Sequence, residues 1–537
     1  MEPIPTTTSL ANKQIVKATG IIMFAFIIGQ VFSLLSQILI TWRFGTGLEI
    51  DAFNAANRWT DILYQLIAAG ALASAFVPTF ATLLTKGERS KGWKLASSIA
   101  NLITLILIII GAITAIFAPW VVRYVLAPDF TDPVKFQLTV DLMRIQLIAP
   151  VIFGVSGLMM GILNSHQSFL WPALAPAMYS VGKIIGVLFI APSTGIYGLA
   201  VGVIAGAFMH CLIQLPALLK LPERKYTLTL GLKMAEVREV ARLMGPRLLG
   251  VAFVQLNFLM NTRLASGHGE GALTAITIGF GLMLIPEIAI AQSIAIAALP
   301  TFSAQVAKGK LEDMRSSLST LLRGLLLLAV PASVGLILLR VPLVTLIYQR
   351  GEFDANSTAL VAWALLFYAA GLVGHSVVEI VARAFYALHD TKTPVFVGVA
   401  AMSLNVGLSI LFSYLFSQRG WMPHGGLALA NSVATFLEMG VLLFCMRRKL
   451  SGLEGRKSLS GLLQALFAGG VMSFALWGWL AITSGLPNWL TALGGIAVGG
   501  LTYVISLVVL RAPEVKMVYL IVVRLVSRFG ARKAGIK

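Results

Sequence analysis

Long apolar blocks separated by short polar connections run through the whole chain, and this pattern predicts membrane-spanning helices. A spanning helix needs about 20 mostly apolar residues, and fourteen blocks of that size follow one another. They begin near residues 19, 52, 95, 137, 169, 196, 240, 271, 318, 359, 394, 424, 460 and 487. The strict alternation of transmembrane strands does not occur along these blocks. The pattern therefore predicts an all-α integral membrane protein with fourteen transmembrane helices.

A short motif recurs 222 residues downstream of its first copy. Pro78-Thr79-Phe80 with Lys86-Gly87 returns as Pro300-Thr301-Phe302 with Lys308-Gly309, and Pro172 returns as Pro394. The repeated unit contains six predicted helices, an even number, so both copies enter the membrane in the same direction. Parallel repeats of this kind occur in transporters. They predict two six-helix lobes in a parallel pseudo-twofold arrangement, followed by a C-terminal helix pair.

Loop lengths and charge set the predicted boundaries. We expect an N-terminal lobe with helices 1 to 6, a cytoplasmic linker, a C-terminal lobe with helices 7 to 12, helices 13 and 14, and a basic amphipathic cytoplasmic tail. The ranges are 1–220, 221–239, 240–450, 451–512 and 513–537, in that order.

The composition excludes a soluble multidomain protein, since 58% of residues are apolar, 12% are charged and the mean hydropathy is +0.87. In a soluble chain a net charge of +19 would indicate binding to nucleic acid. Here the basic residues are instead concentrated in alternate loops between the predicted helices. The even-numbered loops and both tails hold 29 of the 41 lysines and arginines, and the odd loops hold six. This positive-inside bias predicts a multi-pass membrane protein with both termini in the cytoplasm and no nucleic-acid partner.

The sequence has no motif for a cofactor or for hydrolysis. Cys211 and Cys445 lie inside apolar blocks, the six histidines make no metal-ligand spacing, and no phosphate-binding glycine loop occurs. The sequence shows no pattern typical of a catalytic nucleophile or of a pair of catalytic acid and base residues, so it gives no indication of an enzyme. We therefore expect a transporter without a cofactor, driven by an ion gradient, the membrane potential or the gradient of its substrate.

Helix 2 has the most informative polar pattern. Asp51, Asn54, Arg58, Asp61 and Gln65 follow spacings of three and four residues, which keeps them on one helix face over about 21 Å. Each central charge costs about 2.5 to 3.5 kcal/mol in the bilayer, so the stripe should face a polar cavity. The alternative is structural, with Asp51 at the start of the helix and Arg58 neutralising Asp61.

Further polar residues predict the rest of this cavity and a gate. The predicted cavity adds Gln30 and Gln37 from helix 1, and Asn257 and Asn261 from helix 7. The predicted gating or coupling residues are Arg247, Arg263, Glu287, His375, Glu379 and Arg383. Because Glu379 and Arg383 are four residues apart, an intrahelical structural pair is the favoured interpretation for them, and gating or proton coupling through His375 and Glu379 is the alternative.

Ordered segments across most of the chain resemble the lipid II flippase family (MurJ, also called MviN). The matching segments are Phe44-Gly45, Asp51-Ala52-Phe53, Gly70-Ala71-Leu72, Ala75-Phe76-Val77-Pro78, Gly161-Ile162-Leu163-Asn164-Ser165-His166, Pro172-Ala173-Leu174-Ala175-Pro176, Ala384-Phe385-Tyr386-Ala387 and Asp390-Thr391-Lys392-Thr393-Pro394. The family belongs to the multidrug/oligosaccharidyl-lipid/polysaccharide exporter superfamily. The resemblance implies fourteen helices in two lobes plus a pair, alternating access, a head-group cavity between the lobes, and a groove for the polyprenyl tail along helices 13 and 14.

The resemblance also implies a cationic cavity, with an Arg-Asp pair in helix 1 and single arginines in helices 2 and 8. The aligned positions here are Ser36-Gln37, Tyr64 and Phe280, whereas Asp51 and the basic Arg58 follow the family. The leading hypothesis is translocation of the undecaprenyl-pyrophosphate-linked peptidoglycan precursor from the inner to the outer leaflet. One alternative is a flippase or exporter of another lipid-linked glycan or amphiphile. Another is a scaffold that does not transport and that contacts cell-wall synthesis proteins.

Overall fold

In the computed structural model the backbone is described for residues 7–66 and 73–513, and the side chains within it except 7–24, 26, 73, 74, 246, 247, 249, 250 and 456–458. All regular secondary structure in this part is helical. Twelve of its helices are long and apolar enough to cross a membrane. The all-α membrane fold is therefore confirmed. The predicted tail helix lies outside the described residues.

The chain divides into two compact units, of which the first comprises residues 1–274 and 350–354. Its helices are α1 (Thr7–Phe44), α2 (Leu48–Tyr64), α3 (Ala73–Thr85), α4 (Arg89–Ile116), α5 (Ala118–Val121), α6 (Pro133–Gln146), α7 (Ile148–Ser165), α8 (Leu170–Ile185), α9 (Ala191–Thr194), α10 (Ile196–Leu212), α11 (Leu215–Leu219) and α12 (Ala235–Ser266). Phe76 and Phe80 stack at 5.0 Å in its core, and Phe80 meets the edge of Trp93. The first copy of the repeated motif thus anchors α3 to α4.

The second unit comprises residues 275–349 and 355–537. Its helices are α13 (Ala272–Glu287, which begins in the first unit), α14 (Ser293–Ala307), α15 (Leu311–Leu338), α16 (Arg340–Tyr348), α17 (Ala355–Ala387), α18 (Lys392–Gln418), α19 (His424–Lys449), α20 (Gly455–Ile482) and α21 (Asn488–Val509). Phe302, in the second copy of the motif, is fully buried here. The Tyr503 hydroxyl donates to the Leu327 carbonyl at 2.9 Å and fixes α21 on α15. Single π-helical segments occur at Val122–Leu126, Gly186–Ile190 and Ile288–Gln292.

The sequence repeat recurs in the helix bounds. The helix α4 (Arg89–Ile116) and the helix α15 (Leu311–Leu338) are both 28 residues long, and their first residues are separated by the displacement of the motif. The starts of α6 and α17, and of α8 and α18, keep the same displacement. Gly87 and Gly309, which precede α4 and α15, both have a positive φ, of 76° and 69°. The two copies are therefore duplicated structure and not only duplicated sequence.

The twelve apolar helices correspond to all predicted spans except the second and the seventh. The second span corresponds to α2 and α3 on either side of residues 67–72, and α2 is only 17 residues long. The seventh corresponds to α12, where buried amides and charged residues interrupt the apolar pattern. These are the two helices with the strongest predicted polar stripes. The count of fourteen spans and the lobe boundaries at 220 and 240 stay predictions.

Two pairs of glycines let α8 and α10 approach closely. A Cβ atom on Gly182 would lie 2.2 Å from the Cα atom of Gly206, and one on Gly186 would lie 2.7 Å from the Cα atom of Gly202. Small residues on facing helices permit such backbone contact in membranes. This packing fixes the position of Lys183, the residue next to Gly182.

Candidate functional site

The polar stripe of α2 divides into an N-terminal and a C-terminal part with different environments. The helix begins after Gly47, and Glu49 and Asp51 lie in its first turn, where negative charge is favourable. Asp51 is fully buried, whereas Asn54, Arg58, Asp61 and Gln65 are partly exposed. We therefore describe the two parts separately.

The carboxylate of Asp51 has hydrogen-bond donors of the first unit on both of its oxygens. It accepts hydrogen bonds from Lys135 Nζ at 3.0 Å, from the Gly271 amide at 2.8 Å, and from the Thr274 amide and hydroxyl at 3.0 and 2.7 Å. Asn54 Nδ2 donates to the same Thr274 hydroxyl at 3.0 Å. The N-terminal part of the stripe thus joins α2 to α6, to the connection after α12 and to the first turn of α13. No hydrogen-bonding position of Asp51 is directed at a free cavity.

Lys135 is the residue that sequence reasoning missed at this point. It was counted only as a loop charge, yet it is buried, lies 3.0 Å from Asp51 and stands 4.2 Å above the ring of Phe130. Its position in the sequence, two residues after the helix-starting Pro133, gave no sign of its partner. Only the fold brings these distant residues together.

The C-terminal part of the stripe has two basic side chains near one carboxyl group. These are Arg58 on α2 and Lys183 on α8, which both lie close enough to Asp61 to act on its charge. Among the described residues neither cation forms a direct ion pair with Asp61, whose carboxylate accepts a hydrogen bond from Asn57 Nδ2 at 3.0 Å. Direct neutralisation of Asp61 by Arg58 is therefore not what the structure shows. We call Arg58, Asp61 and Lys183 the Asp61 cluster.

Aromatic rings hold both cations of the cluster. The guanidinium carbon of Arg58 lies 5.1 Å from the Phe258 ring of α12, and its Nε is buried without a hydrogen-bond partner among the described residues. Lys183 Nζ lies 4.7 Å from the Tyr179 ring. Cation–π contact supports a charge without using its hydrogen-bond donors. The cluster therefore retains donors for an anionic group.

The position of the missing family arginine in helix 2 lies beside the cluster. Tyr64 packs on Phe153 at 4.7 Å, and Phe153 in turn meets Tyr179 at 5.2 Å and His210 at 5.3 Å. Lys183 projects from the same helix as Tyr179. A lysine on α8 thus supplies a positive charge near the place where α2 has a tyrosine.

The other predicted cavity residues have varied positions. Asn261 Nδ2 donates to Asn257 Oδ1 at 3.2 Å, and both amides are buried on α12. On α1, which packs along α8, Gln30 is exposed and Gln37 is half-buried. Gln65 is half-buried and caps α2 through its backbone. Their assignment to the substrate cavity stays a prediction.

The predicted gating residues of the first unit are Arg247 and Arg263. Arg263 donates from a terminal nitrogen to the Tyr124 carbonyl at 2.8 Å. The side chain of Arg247 lies outside the described residues. Neither observation tests a gating role.

The predicted gating residues of the second unit form two groups. His375 Nε2 lies 3.0 Å from Asn431 Oδ1, and its ring lies 6.2 Å from Phe280. Arg383 and Glu379 form an intrahelical ion pair at 2.6 Å. The nearby Glu287 is buried and accepts a long hydrogen bond of 3.4 Å from Gln292. The predicted pairing of Glu379 with Arg383 is confirmed in geometry, and a role in gating stays a prediction.

In the described part of the chain no group of three or more histidines, cysteines, aspartates or glutamates is placed to hold a metal ion. Two cations, one carboxylate and several ring faces are what the Asp61 cluster offers to a ligand.

Comparison with known proteins agrees with this architecture. The sequence model of the family described as "Lipid II flippase MurJ" matches residues 40–493. The lipid II flippase MurJ of Burkholderia cenocepacia is 30% identical over 428 residues, which cover 79% of this chain and 82% of that protein. The probable lipid II flippase MurJ of Vibrio cholerae is 28% identical over 529 residues, covering 94% of this chain and 98% of the relative.

Solved structures show the same fold. The structure of lipid II flippase MurJ in an inward closed conformation superposes with a TM-score of 0.78 at 22% identity, over 92% of this chain and 99% of that chain. An inward-facing multidrug resistance MATE transporter of the MOP superfamily superposes with a TM-score of 0.65 at 16% identity, over 79% and 94%. At these identities the likeness shows the fold alone. The match of the family sequence model over most of the chain decides the assignment, and the chain belongs to the lipid II flippase MurJ family.

Proposed function

We propose that this protein translocates lipid II, the undecaprenyl-pyrophosphate-linked peptidoglycan precursor, from the inner to the outer leaflet of the bacterial cytoplasmic membrane by alternating access. Family membership supports the substrate class. The observation that carries the proposal for this chain is the Asp61 cluster, where the basic side chains of Arg58 on α2 and Lys183 on α8 lie around one carboxyl group, each against an aromatic ring. A pyrophosphate needs such an excess of positive charge.

The cluster also supplies positive charge in place of the arginines that the family resemblance implies and this chain lacks. A charge-assisted hydrogen bond contributes about 1.5 to 3 kcal/mol, so uncharged residues at Ser36, Tyr64 and Phe280 should weaken the binding of pyrophosphate. Lys183 supplies a cation from α8, the helix that also contains the matching segment Pro172-Ala173-Leu174-Ala175-Pro176. We therefore propose Arg58 and Lys183 as the residues that receive the pyrophosphate, with Asp61 holding them in place.

The test is complementation of a strain depleted of its own flippase, scored by exposure of lipid II on the outer leaflet. We expect Arg58→Gln and Lys183→Gln each to reduce exposure at least tenfold, because each loses one bond worth about 1.5 to 3 kcal/mol. Lys183→Arg keeps the charge and should retain most activity. Lys308→Gln, an exposed cation in the turn before α15, is the matched control.

Normal exposure with the double variant Arg58→Gln/Lys183→Gln would exclude the proposed site. Normal growth without any exposure of lipid II would favour the scaffold. Preferential binding of another polyprenyl-linked glycan by the purified wild-type protein would change the substrate.

Both termini lie in the cytoplasm in this proposal, because the basic loops then face inward. The protein breaks no covalent bond. The protein partners that this function implies are the cell-wall synthesis enzymes that consume the precursor on the outer face.

A further inference from the structure

An extended segment between α11 and α12 lies along the first half of α4, and we call residues 222–233 the strap. Four polar side chains or amides fix it in place. Trp93 Nε1 donates to the Pro222 carbonyl at 3.3 Å, the Thr227 amide donates to Ser97 Oγ at 3.1 Å, and Asn101 Nδ2 donates to the Thr227 and Thr229 carbonyls at 3.1 and 2.9 Å. The Tyr226 hydroxyl also donates to Asn101 Oδ1. The strap is therefore a built part of the first unit.

The strap ends in a close approach that only glycine allows. Gly231 has a φ of 58°, and a Cβ atom there would lie 2.3 Å from Ser98 Oγ. Its amide donates to Thr229 Oγ1 at 3.2 Å. This geometry returns the chain to Met234 and to α12.

Side chains alternate along the strap in the way expected for an extended backbone. Thr227 and Thr229 face α4 and are half-buried. On the outward side, the ring of Tyr226 is 67% exposed although its hydroxyl hydrogen-bonds to α4, and three leucines follow it with exposed fractions of 89% at Leu228, 37% at Leu230 and 60% at Leu232. Such a run of exposed apolar surface in a connection is unusual unless something apolar covers it.

The position of the strap along α4 indicates what covers its exposed apolar side chains. The residues of α4 that bind it end at Asn101, and Ile116 is the last residue of that helix. At 1.5 Å per residue these two are about 22 Å apart along the axis, less than the roughly 30 Å of a hydrocarbon core. If Ile116 lies at one boundary of the hydrocarbon core, Asn101 and the middle of the strap therefore still lie within the core near its other boundary. A tilt of α4 shortens the distance between Ile116 and Asn101 along the membrane normal, and so places the strap deeper in the core.

The charged side chains beside the strap indicate which kind of lipid head group it would bind. Five exposed cations, listed here, form no ion pair among the described residues: Lys94, Lys220, Arg224, Lys225 and Lys233. The acids nearby are already used, since Glu223 pairs with Arg89 and Glu236 with Lys91. Exposed lysines and arginines next to apolar side chains at a membrane surface attract anionic lipids.

We propose that the strap is a binding site for anionic phospholipids. Its outward apolar side chains enter the acyl region, and the unpaired cations bind lipid phosphates. The site is separate from the substrate cluster and goes beyond the proposed transport. Only its placement in the inner leaflet rests on the proposed orientation.

The test is spin-label accessibility in liposomes with the full-length protein. Single cysteines are introduced by Leu228→Cys or Leu230→Cys after Cys211→Ala and Cys445→Ala. Lys308→Cys is the aqueous reference, and Ile109→Cys on the exposed apolar face of α4 is the lipid reference. We expect labels at 228 and 230 to collide with oxygen more often than with a water-soluble nickel reagent, as at 109 and opposite to 308.

Anionic selectivity is measured by comparing pure phosphatidylcholine with a mixture that contains phosphatidylglycerol. The label at 228 should lie deeper in the mixture, and Lys225→Gln/Lys233→Gln should remove the difference. Nickel accessibility at 228 equal to that at 308 in both lipids would overturn the proposal, as would equal depth in both lipids. Gel filtration and an unchanged label at 109 verify that each variant is folded. Because no transport is measured, failure here is distinguishable from failure of the proposed function.

Discussion

At the scale of single residues, Asp51 and Asp61 show how one polar stripe can serve two purposes. Asp51 has four hydrogen-bond donors and a buried ion pair with Lys135. Asp61 has one donor and two cations at a longer range. A satisfied buried charge stabilises one arrangement of the chain, whereas an unsatisfied cluster can exchange partners with a ligand.

We predict that Asp51→Ala destabilises the protein strongly. It leaves Lys135 buried without its counter-charge, and breaking a buried pair in this way costs about 3 to 5 kcal/mol. The thermal unfolding midpoint in detergent measures the effect. The control is Asp313→Ala, whose ion pair with Lys310 at 3.6 Å is exposed and should contribute little. Restored stability in Asp51→Ala/Lys135→Met would support the reason given, and equal midpoints for the two single variants would refute it.

Asp390 allows a prediction of pH dependence outside the membrane-spanning helices. Hydrogen bonding to Lys449 Nζ, followed by the Thr393 amide, lowers the pKa of Asp390 below its ordinary value of 3.8. A carboxyl with a lowered folded-state pKa stabilises the fold above the unfolded-state pKa, and this stability is lost as the pH falls through the folded-state value. Asp390→Asn should therefore have a lower unfolding midpoint than wild type at neutral pH.

The difference between Asp390→Asn and wild type should stay constant down to about pH 4 and shrink below it. A series of unfolding midpoints at decreasing pH checks this. A difference that stays the same at all pH values would mean that the charge of Asp390 is not what stabilises the connection before α18.

At the scale of elements, the positions of helices could be predicted from the sequence better than the contacts of single side chains. Apolar blocks predicted the starts of α4, α6 and α8 and of their counterparts α15, α17 and α18 to within seven residues, since helix periodicity and turn glycines are local signals. Polar stripes predicted which helices depart from the apolar pattern. The partners of Asp51 and Asp61 could not be predicted, because Lys135 and Lys183 are distant in sequence and looked like isolated charges.

The glycine contact of α8 with α10 makes a prediction at this scale. Gly182→Ala should lower both the unfolding midpoint and lipid II exposure, because its Cβ would lie 2.2 Å from backbone atoms of Gly206 that cannot move independently. Gly324→Ala in α15 is the control, since nothing lies within 4 Å of its Cβ position. Alanine is favoured over glycine in a helix interior by about 1 kcal/mol, so this control should be neutral or stabilising. Equal effects of the two substitutions would contradict close packing at Gly182.

At the scale of the whole molecule, duplication followed by divergence explains the asymmetry of charge. The displacement that relates α4 to α15 also relates Arg58 to Phe280. Arg58 lies on a ring with a free donor in the first unit, whereas Phe280 packs on Tyr368 at 5.2 Å in the second. Of these two equivalent positions, only the one in the first copy therefore has a cation.

The same duplication predicts the orientation of equivalent loops. Lys86 and Lys308 occupy equivalent turns before α4 and α15, separated by an even number of predicted spans, so both should face the cytoplasm. Arg419, in the turn between α18 and α19, should face the outside. In a background with Cys211→Ala and Cys445→Ala, Arg419→Cys should react with a membrane-impermeant thiol reagent on intact cells. Lys86→Cys and Lys308→Cys should react only after the cells are opened. Because the repeat makes the two lysine positions equivalent, labelling of one without the other on intact cells would contradict the parallel arrangement, and labelling of both would reverse the proposed orientation.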